Sequence, residues 1–356
     1  MNDTDIYSSE LLGVTAAGAF LIAIVGTSGN LLAVVALLQS TTLRQNPSTA
    51  FMINLPACLL PICAIGMPLF GAGCLQQKLY GRVLFSETCT EIFFTMGFSL
   101  SQVHLHTISA LAFNRFLAVM WPAKYKQLMQ KRKVRLYLGL LWLYSLLLWV
   151  PLACGALGGL KYNPKELMAS MDNSRGKVQK GFHVFFTYML PVLFTSMCYI
   201  TMYIKVRYSR RSRHLRAART NVANGDDDAV RQWDDHVTRT ILVIFLFMVS
   251  CCVPHLVVHI RHLYDRHPAA WLLLHLIFWL QFCIDPLVYV TVSCQYRAAC
   301  AETAQRLMHC LRLSSNTEPT QRSVCFKEGA KPKLTGDNTS APEHLRSYST
   351  DSKSEA

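Results

Sequence analysis

The chain has 356 residues, 52 % of them hydrophobic and only 16 % charged, with a mean hydropathy of +0.25. That apolar excess excludes the two or three water-soluble domains that length alone would allow. The net charge of +14 does not point to nucleic acid, because the basic residues gather in short stretches between apolar runs, the pattern of a polytopic membrane protein.

The opening residues are polar and acidic, without a cleavable signal peptide. Residues 1–10 are expected to form an extracellular N-terminus, with Asn2, in Asn2-Asp3-Thr4, a candidate glycosylation site. Seven apolar runs follow, near 11–38, 49–75, 90–121, 136–157, 181–204, 238–260 and 269–293. A bilayer takes about 20 residues of helix to cross, and backbone groups in lipid must be satisfied internally. The predicted fold is therefore all-α: a seven-transmembrane helix bundle over residues 11–293. Pro56, Pro61, Pro68, Pro151, Pro191, Pro254 and Pro286 fall within the runs and predict kinks. The stretches 122–135 and 205–219 are rich in Lys and Arg and contain no acid. The positive-inside rule puts both in the cytoplasm, with the N-terminus outside and the C-terminus inside. The loop 158–180 blurs this count, since it also carries Lys161, Lys165, Arg175, Lys177 and Lys180.

Beyond the seventh run, Tyr296, Cys300, Ala304, Leu307 and Leu311 recur at helical spacing. They predict a short amphipathic helix over 294–313 on the inner membrane face; an ordinary cytoplasmic helix is the alternative. Cys300, Cys310 or both are candidates for palmitoylation. Residues 314–356 are polar, rich in Ser and Thr, and expected to be a disordered cytoplasmic tail. Of the 13 cysteines, Cys58, Cys63, Cys198, Cys251, Cys252 and Cys283 lie inside apolar runs, where cysteine behaves as a small hydrophobe. No Cys/His spacing suggests a metal, no nucleophile–base pattern suggests an enzyme, and no cofactor is expected.

Particular residues resemble the rhodopsin-like (class A) G-protein-coupled receptors. Asn30 in "GNLLAVVAL" resembles that family's first-helix signature. "NRF" at 114–116 stands where the family has Asp/Glu-Arg-Tyr, and Trp142 matches its fourth-helix tryptophan. Pro191 with Tyr199 resembles the fifth-helix pair, "CCVP" at 251–254 the Cys-Trp-x-Pro hinge, and "DPLVY" at 285–289 the Asn-Pro-x-x-Tyr motif. The resemblance spans roughly 11–313. Asn114 before the arginine is similar to melatonin receptors and to the invertebrate orphan group of trapped-in-endoderm and moody receptors. The resemblance implies a plasma-membrane receptor that passes an extracellular ligand signal to a heterotrimeric G protein, with arrestin, receptor kinases and membrane lipid as further partners. It implies that Arg115 meets the G protein, with Asn114, Tyr199 and Tyr289 beside it.

Several residues depart from the pattern. Leu59 stands where the family's second helix has aspartate, and Asp285 where its seventh has asparagine, so the buried carboxylate has moved between helices. His104 lies about 16 Å before Arg115 along its helix, at the level of the family's sodium pocket. An intramembrane carboxylate needs a partner or a proton, so His104 and Asp285 are expected to touch, with Asn30 nearby. The alternative is an Asp285 protonated and bonded to backbone. Cys252 replaces the sixth-helix tryptophan, while Pro254 retains the hinge. Cys89 is near the family's disulfide position without the usual partner; Cys154 and Cys74 are candidates.

For the ligand, Gly97 replaces the third-helix aspartate of amine receptors, and the seventh run has no lysine for retinal. His255, His259 and His262 share one helix face and, with Lys180, form a candidate basic rim for an anionic or lipid ligand, or for sensing acid. The other functional reading is a receptor-shaped protein without G-protein signalling: a scavenger, scaffold or arrestin-biased partner.

Overall fold

The computed structural model describes residues 6–155, 159–171, 177–217, 242–257, 266–292 and 294–315. Ser8 caps the first helix by accepting at Oγ from the Leu11 amide (3.2 Å), one of the donors a helix start leaves without an internal partner. α1 runs Ser9–Gln39 and α2, in the following loop, Thr41–Gln45. The second span, Thr49–Tyr80, joins α3 (Thr49–Pro61) to α4 (Met67–Tyr80) through a π turn at Ile62–Gly66. α5 (Glu87–Met120) is the third span, α6 (Pro122–Leu128) its connection, and α7 (Lys131–Ala153) the fourth.

β1 (Leu160–Asn163) and β2 (Met168–Met171) then pair antiparallel, with Leu160 opposite Met171 and Asn163 opposite Met168. The fifth span is α8 (Lys177–Val184), a π turn at Phe185–Met189 and α9 (Leu190–Ala217). α10 (Leu242–Val257) is the described part of the sixth. The seventh comprises α11 (Pro268–Leu280), a 3₁₀ turn at Gln281–Cys283 and α12 (Ile284–Val292), and α13 (Cys294–Ser315) follows it. Residues Met1–His309 make one structural unit, which holds this bundle; the second, Cys310–Ala356, supplies only the last turns of α13 to the described residues.

Side chains sort as a bilayer requires. Leu21, Ile24, Leu140, Leu147, Leu193 and Ile200 are all exposed, a set of large apolar groups that a water-soluble surface would not carry together. Among the described residues, five helices are long and apolar enough to cross a membrane on length and composition alone. α5 is not among them, although it is long enough at about 51 Å. It carries Gln102, His104, Thr107, Ser109, Asn114 and Arg115, all buried. α5 turns these groups into the bundle, which is why its apolar signal is diluted.

Three of the prolines follow breaks in helical regularity, while Pro56 and Pro151 lie inside α3 and α7. A proline lacks the amide that bonds the carbonyl four residues back, and its ring crowds that carbonyl. Pro68 and Pro191 follow the two π turns, whose wider rings absorb this, and Pro286 follows the 3₁₀ turn. The carbonyl that Pro286 leaves behind, Phe282 O, accepts from Asn30 Nδ2 at 2.9 Å. A residue of the first span thereby repairs the seventh.

These helices also meet closely at Gly26. A Cβ there would lie 2.5 Å from Cys63 Sγ and 3.4 Å from Cys283 Sγ. Gly26→Ala is expected to destabilise the fold by about 1–3 kcal/mol through overpacking, read as a lowered melting temperature of the purified protein.

Candidate functional site

At mid-bundle, α5 and α12 bring together the two ionisable side chains expected to meet. His104 Nε2 donates to Asp285 Oδ2 at 2.6 Å, with both residues under 5 % exposed. Asn30 is close by, its Nδ2 donating to Gly26 O (2.8 Å) as well as to Phe282 O, and its Oδ1 buried without a partner. The resemblance implies a sodium ion at this level, and the residues present do not fit one. Leu59 is fully buried where the acid would be, and Asp285 already faces an imidazole. Exchanging sodium chloride for choline chloride at constant ionic strength is therefore expected to leave melting temperature and basal signalling unchanged within about twofold, the second read by G-protein dissociation.

Three further polar bridges tie α5 to its neighbours, and the sequence reading did not find them. Asn54 Nδ2 donates to Thr107 Oγ1 (2.8 Å) while its Oδ1 accepts from Trp142 Nε1 (3.0 Å), so one amide joins the second, third and fourth spans. Trp149 Nε1 donates to Gln102 Oε1. Thr195 donates to Ser109 Oγ (2.8 Å), which donates to Pro191 O (3.1 Å). The available signal was that each is a polar residue inside an apolar run and so needs a partner.

Toward the end of α5, Arg115 is 2 % and Asn114 1 % exposed. Asn114 Nδ2 donates to Ser48 Oγ at 2.6 Å, directed at the loop before α3 rather than at the arginine. The Tyr199 ring stacks on Phe245 at 5.9 Å, and its hydroxyl is buried with no hydrogen-bond partner among the described residues. Tyr289 lies on α12, but its side chain is outside the described residues.

At the opposite end of the bundle a cavity opens between α5, α7, the fifth and sixth spans, and the β hairpin. A neighbouring, smaller cavity reaches toward the second and seventh spans. The two share Phe98, Ala169, His255 and Phe278 as walls. His255 stacks on Phe278 (4.1 Å, 16°) and meets His275 edge-on (4.4 Å). This corrects the basic rim: His255 is a wall of an aromatic chamber, because α10 turns that face toward Phe278. His259 and His262 lie outside the described residues, as does the side chain of Lys180. Gly97 lines the smaller cavity with nothing within 4 Å of its Cβ direction.

The hairpin lies over these cavities without a disulfide. Cys89 and Cys154 are free and exposed, and Cys74 is free and buried, which corrects the expected Cys89–Cys154 or Cys89–Cys74 link. Cys89 sits in the first turn of α5, its amide capped by Ser86, while Cys154 terminates α7. The hairpin is fastened instead by hydrogen bonds to its tip: Tyr7 Oη donates to Lys165 O (2.5 Å) and Trp271 Nε1 to Glu166 O (3.2 Å). Burial pushes the Tyr162 phenol above its ordinary pKa, with Cys74 and Glu87 adding to the effect. Cys89→Ser and Cys154→Ser are expected to leave surface expression unchanged, as measured by flow cytometry of tagged protein.

Cys252, in the tryptophan position, lines the larger cavity and its thiol faces Gln281 Oε1 at 3.7 Å. Pro254 lies half-buried one turn from the end of α10. α13 buries Tyr296, Ala299, Cys300 and Thr303 and exposes Leu307. Cys300 is turned inward and is not accessible for acylation in this packing; the Cys310 side chain and Asn2 lie outside the described residues.

A chain of spans packed around one long polar-lined helix, with a roofed cavity at one end and a buried guanidinium at the other, has the form of a membrane receptor. It belongs to the rhodopsin family of seven-transmembrane receptors, whose family model, 7 transmembrane receptor (rhodopsin family), matches residues 29–289. It is thus a multi-pass membrane protein and not an enzyme. The chain is 26 % identical over 378 residues to the G-protein coupled receptor moody of Drosophila pseudoobscura pseudoobscura, covering 86 % of this chain and 55 % of that one. It is 24 % identical over 311 residues to Protein trapped in endoderm-1 of Drosophila melanogaster, covering 83 % and 78 %. The chain thus spans about half the length of its moody relatives, at 55 % and 52 %. The fold superposes on squid rhodopsin with a TM-score of 0.71 at 17 % identity, over 85 % of this chain and 88 % of that one.

Proposed function

We propose that this chain is a plasma-membrane receptor, N-terminus outside, that couples an extracellular ligand to a heterotrimeric G protein. The orientation follows from Lys124, Lys126, Lys131, Arg132, Lys133 and Arg135 on the Arg115 side, which the positive-inside rule assigns to the cytoplasm. The observation that carries the reading is Arg115 itself. A guanidinium 2 % exposed is held at the end of the third span while its neighbour Asn114 bonds elsewhere. Separation of the fifth and sixth spans would open this end of the bundle to a docking partner that Arg115 meets. The ligand acts by favouring one of two packings it binds unequally, and the cavities beneath the hairpin are where it sits. Arrestin and receptor kinases would use the same face, and the basic loops would contact anionic lipid.

The test is a G-protein dissociation screen across subtypes, comparing the native chain with Arg115→Ala at matched surface expression. Activation by the native chain that falls at least about tenfold in the variant supports the reading, a loss of about 1.4 kcal/mol of coupling. Activity absent from both for every subtype favours the receptor-shaped scaffold or arrestin partner, whereas activity equal in both keeps the coupling and overturns the role given to Arg115. Leu59, Asn114 and Cys252 are the residues that motivate that second reading.

A further inference from the structure

The walls of the larger cavity specify a ligand chemistry. Its lining includes no carboxylate, ammonium or guanidinium among the described residues; the groups that reach it are chiefly aliphatic and aromatic. A charge brought there would be desolvated without a counter-charge, a cost that far exceeds what hydrogen bonds return. Gly97, in the neighbouring cavity, stands where an amine receptor has its third-span carboxylate, and the carboxylate that does line that cavity, Glu166, comes from the hairpin and accepts from Asn163 Nδ2 (2.8 Å). The polar atoms available are few: His255 at the boundary of the two cavities, Ser170 on β2, and Tyr188. Leu160 and Ala169 of the hairpin, 5 % and 3 % exposed, close the top with apolar surface.

From this juxtaposition of apolar walls, one histidine partition and a pinned apolar roof, we infer that the receptor's ligand is an uncharged lipid with a single hydroxyl. Its apolar body fills the larger cavity and its hydroxyl meets His255. This rests on the receptor reading above and names the ligand class of the same site. Sterols and long-chain alcohols share that chemistry.

Photocrosslinking on the full chain in nanodiscs tests it. The probes are a diazirine cholesterol analogue, a diazirine hexadecanol, and diazirine hexadecylamine and palmitic acid as charged counterparts. The expected result is saturable labelling by one or both neutral probes within 98–105, 184–192 or 249–256, half-maximal at least about tenfold below either charged probe. The sterol and alcohol arms identify the source. Leu105→Trp, which fills the cavity, reduces that labelling at least fivefold, and Leu193→Trp, on the bilayer face, does not. Val249→Trp, at a half-buried wall of the same cavity, replaces Leu105→Trp if the latter fails to fold. Charged probes that label as well as neutral ones, or labelling insensitive to the filling variants, overturn the proposal. Arg115→Ala is labelled like the native chain, so binding that persists without any G-protein response overturns the signalling reading alone.

Discussion

Asp285→Leu, with His104 retained, is expected to destabilise the receptor by about 3–5 kcal/mol, the usual loss when one member of a buried pair is removed. His104→Leu, which leaves the carboxylate alone, is expected to do the same. The reason is geometric: the pair is 2.6 Å apart and almost wholly shielded, so neither group has water to fall back on. The double variant His104→Leu/Asp285→Leu should recover most of the loss, because two apolar groups of similar volume replace two satisfied polar ones. The measurement is thermal melting of detergent-solubilised protein, arranged as a double-mutant cycle. Single effects that simply sum in the double variant would show that the contact carries no coupling.

The second large effect concerns signalling. Asn114→Asp is expected to lower ligand-independent G-protein activation at least about threefold, or about 0.7 kcal/mol in favour of the resting packing. The side chain at this position is 1 % exposed and adjacent in sequence to a guanidinium that is 2 % exposed. A carboxylate there adds a charge-assisted interaction in a poorly screened setting. It can still accept from the Ser48 hydroxyl, so the loop contact is kept while its donor sense reverses. The assay is basal G-protein dissociation normalised to surface expression. Unchanged basal activity would mean that the resting packing does not depend on what neighbours Arg115.

The mid-bundle pair was legible in the sequence because His104 and Asp285 are ionisable residues stranded inside apolar runs, and each needed a partner. The spans themselves were legible for the same energetic reason, since lipid enforces long uninterrupted helices. The bridges through Asn54, Gln102 and Ser109 were not. Their partners depend on which helices are neighbours and on how each is rotated about its axis, and periodicity fixes neither. The hairpin roof was missed because its strands are only four residues long, too short for an alternating pattern to stand out. The expectation of a basic rim failed at His255, whose orientation is decided by Phe278 on another helix, 23 positions along the chain. Asn30, by contrast, was singled out by resemblance, yet its physical task became visible only with Phe282 beside it.

That task has a consequence for biosynthesis. The first helix enters the membrane early, carrying an amide whose eventual acceptor is 252 positions downstream. Until the final helix is translated and inserted, Asn30 can satisfy its side-chain donor only at Gly26 O in its own helix and, weakly, at Cys63 Sγ of the second span (3.9 Å). Chains interrupted by a premature stop codon anywhere before Phe282 would therefore leave a half-satisfied amide on the earliest segment, where quality-control machinery within the bilayer can recognise it. Supplying the missing seventh helix as a separate polypeptide would be expected to rescue such fragments.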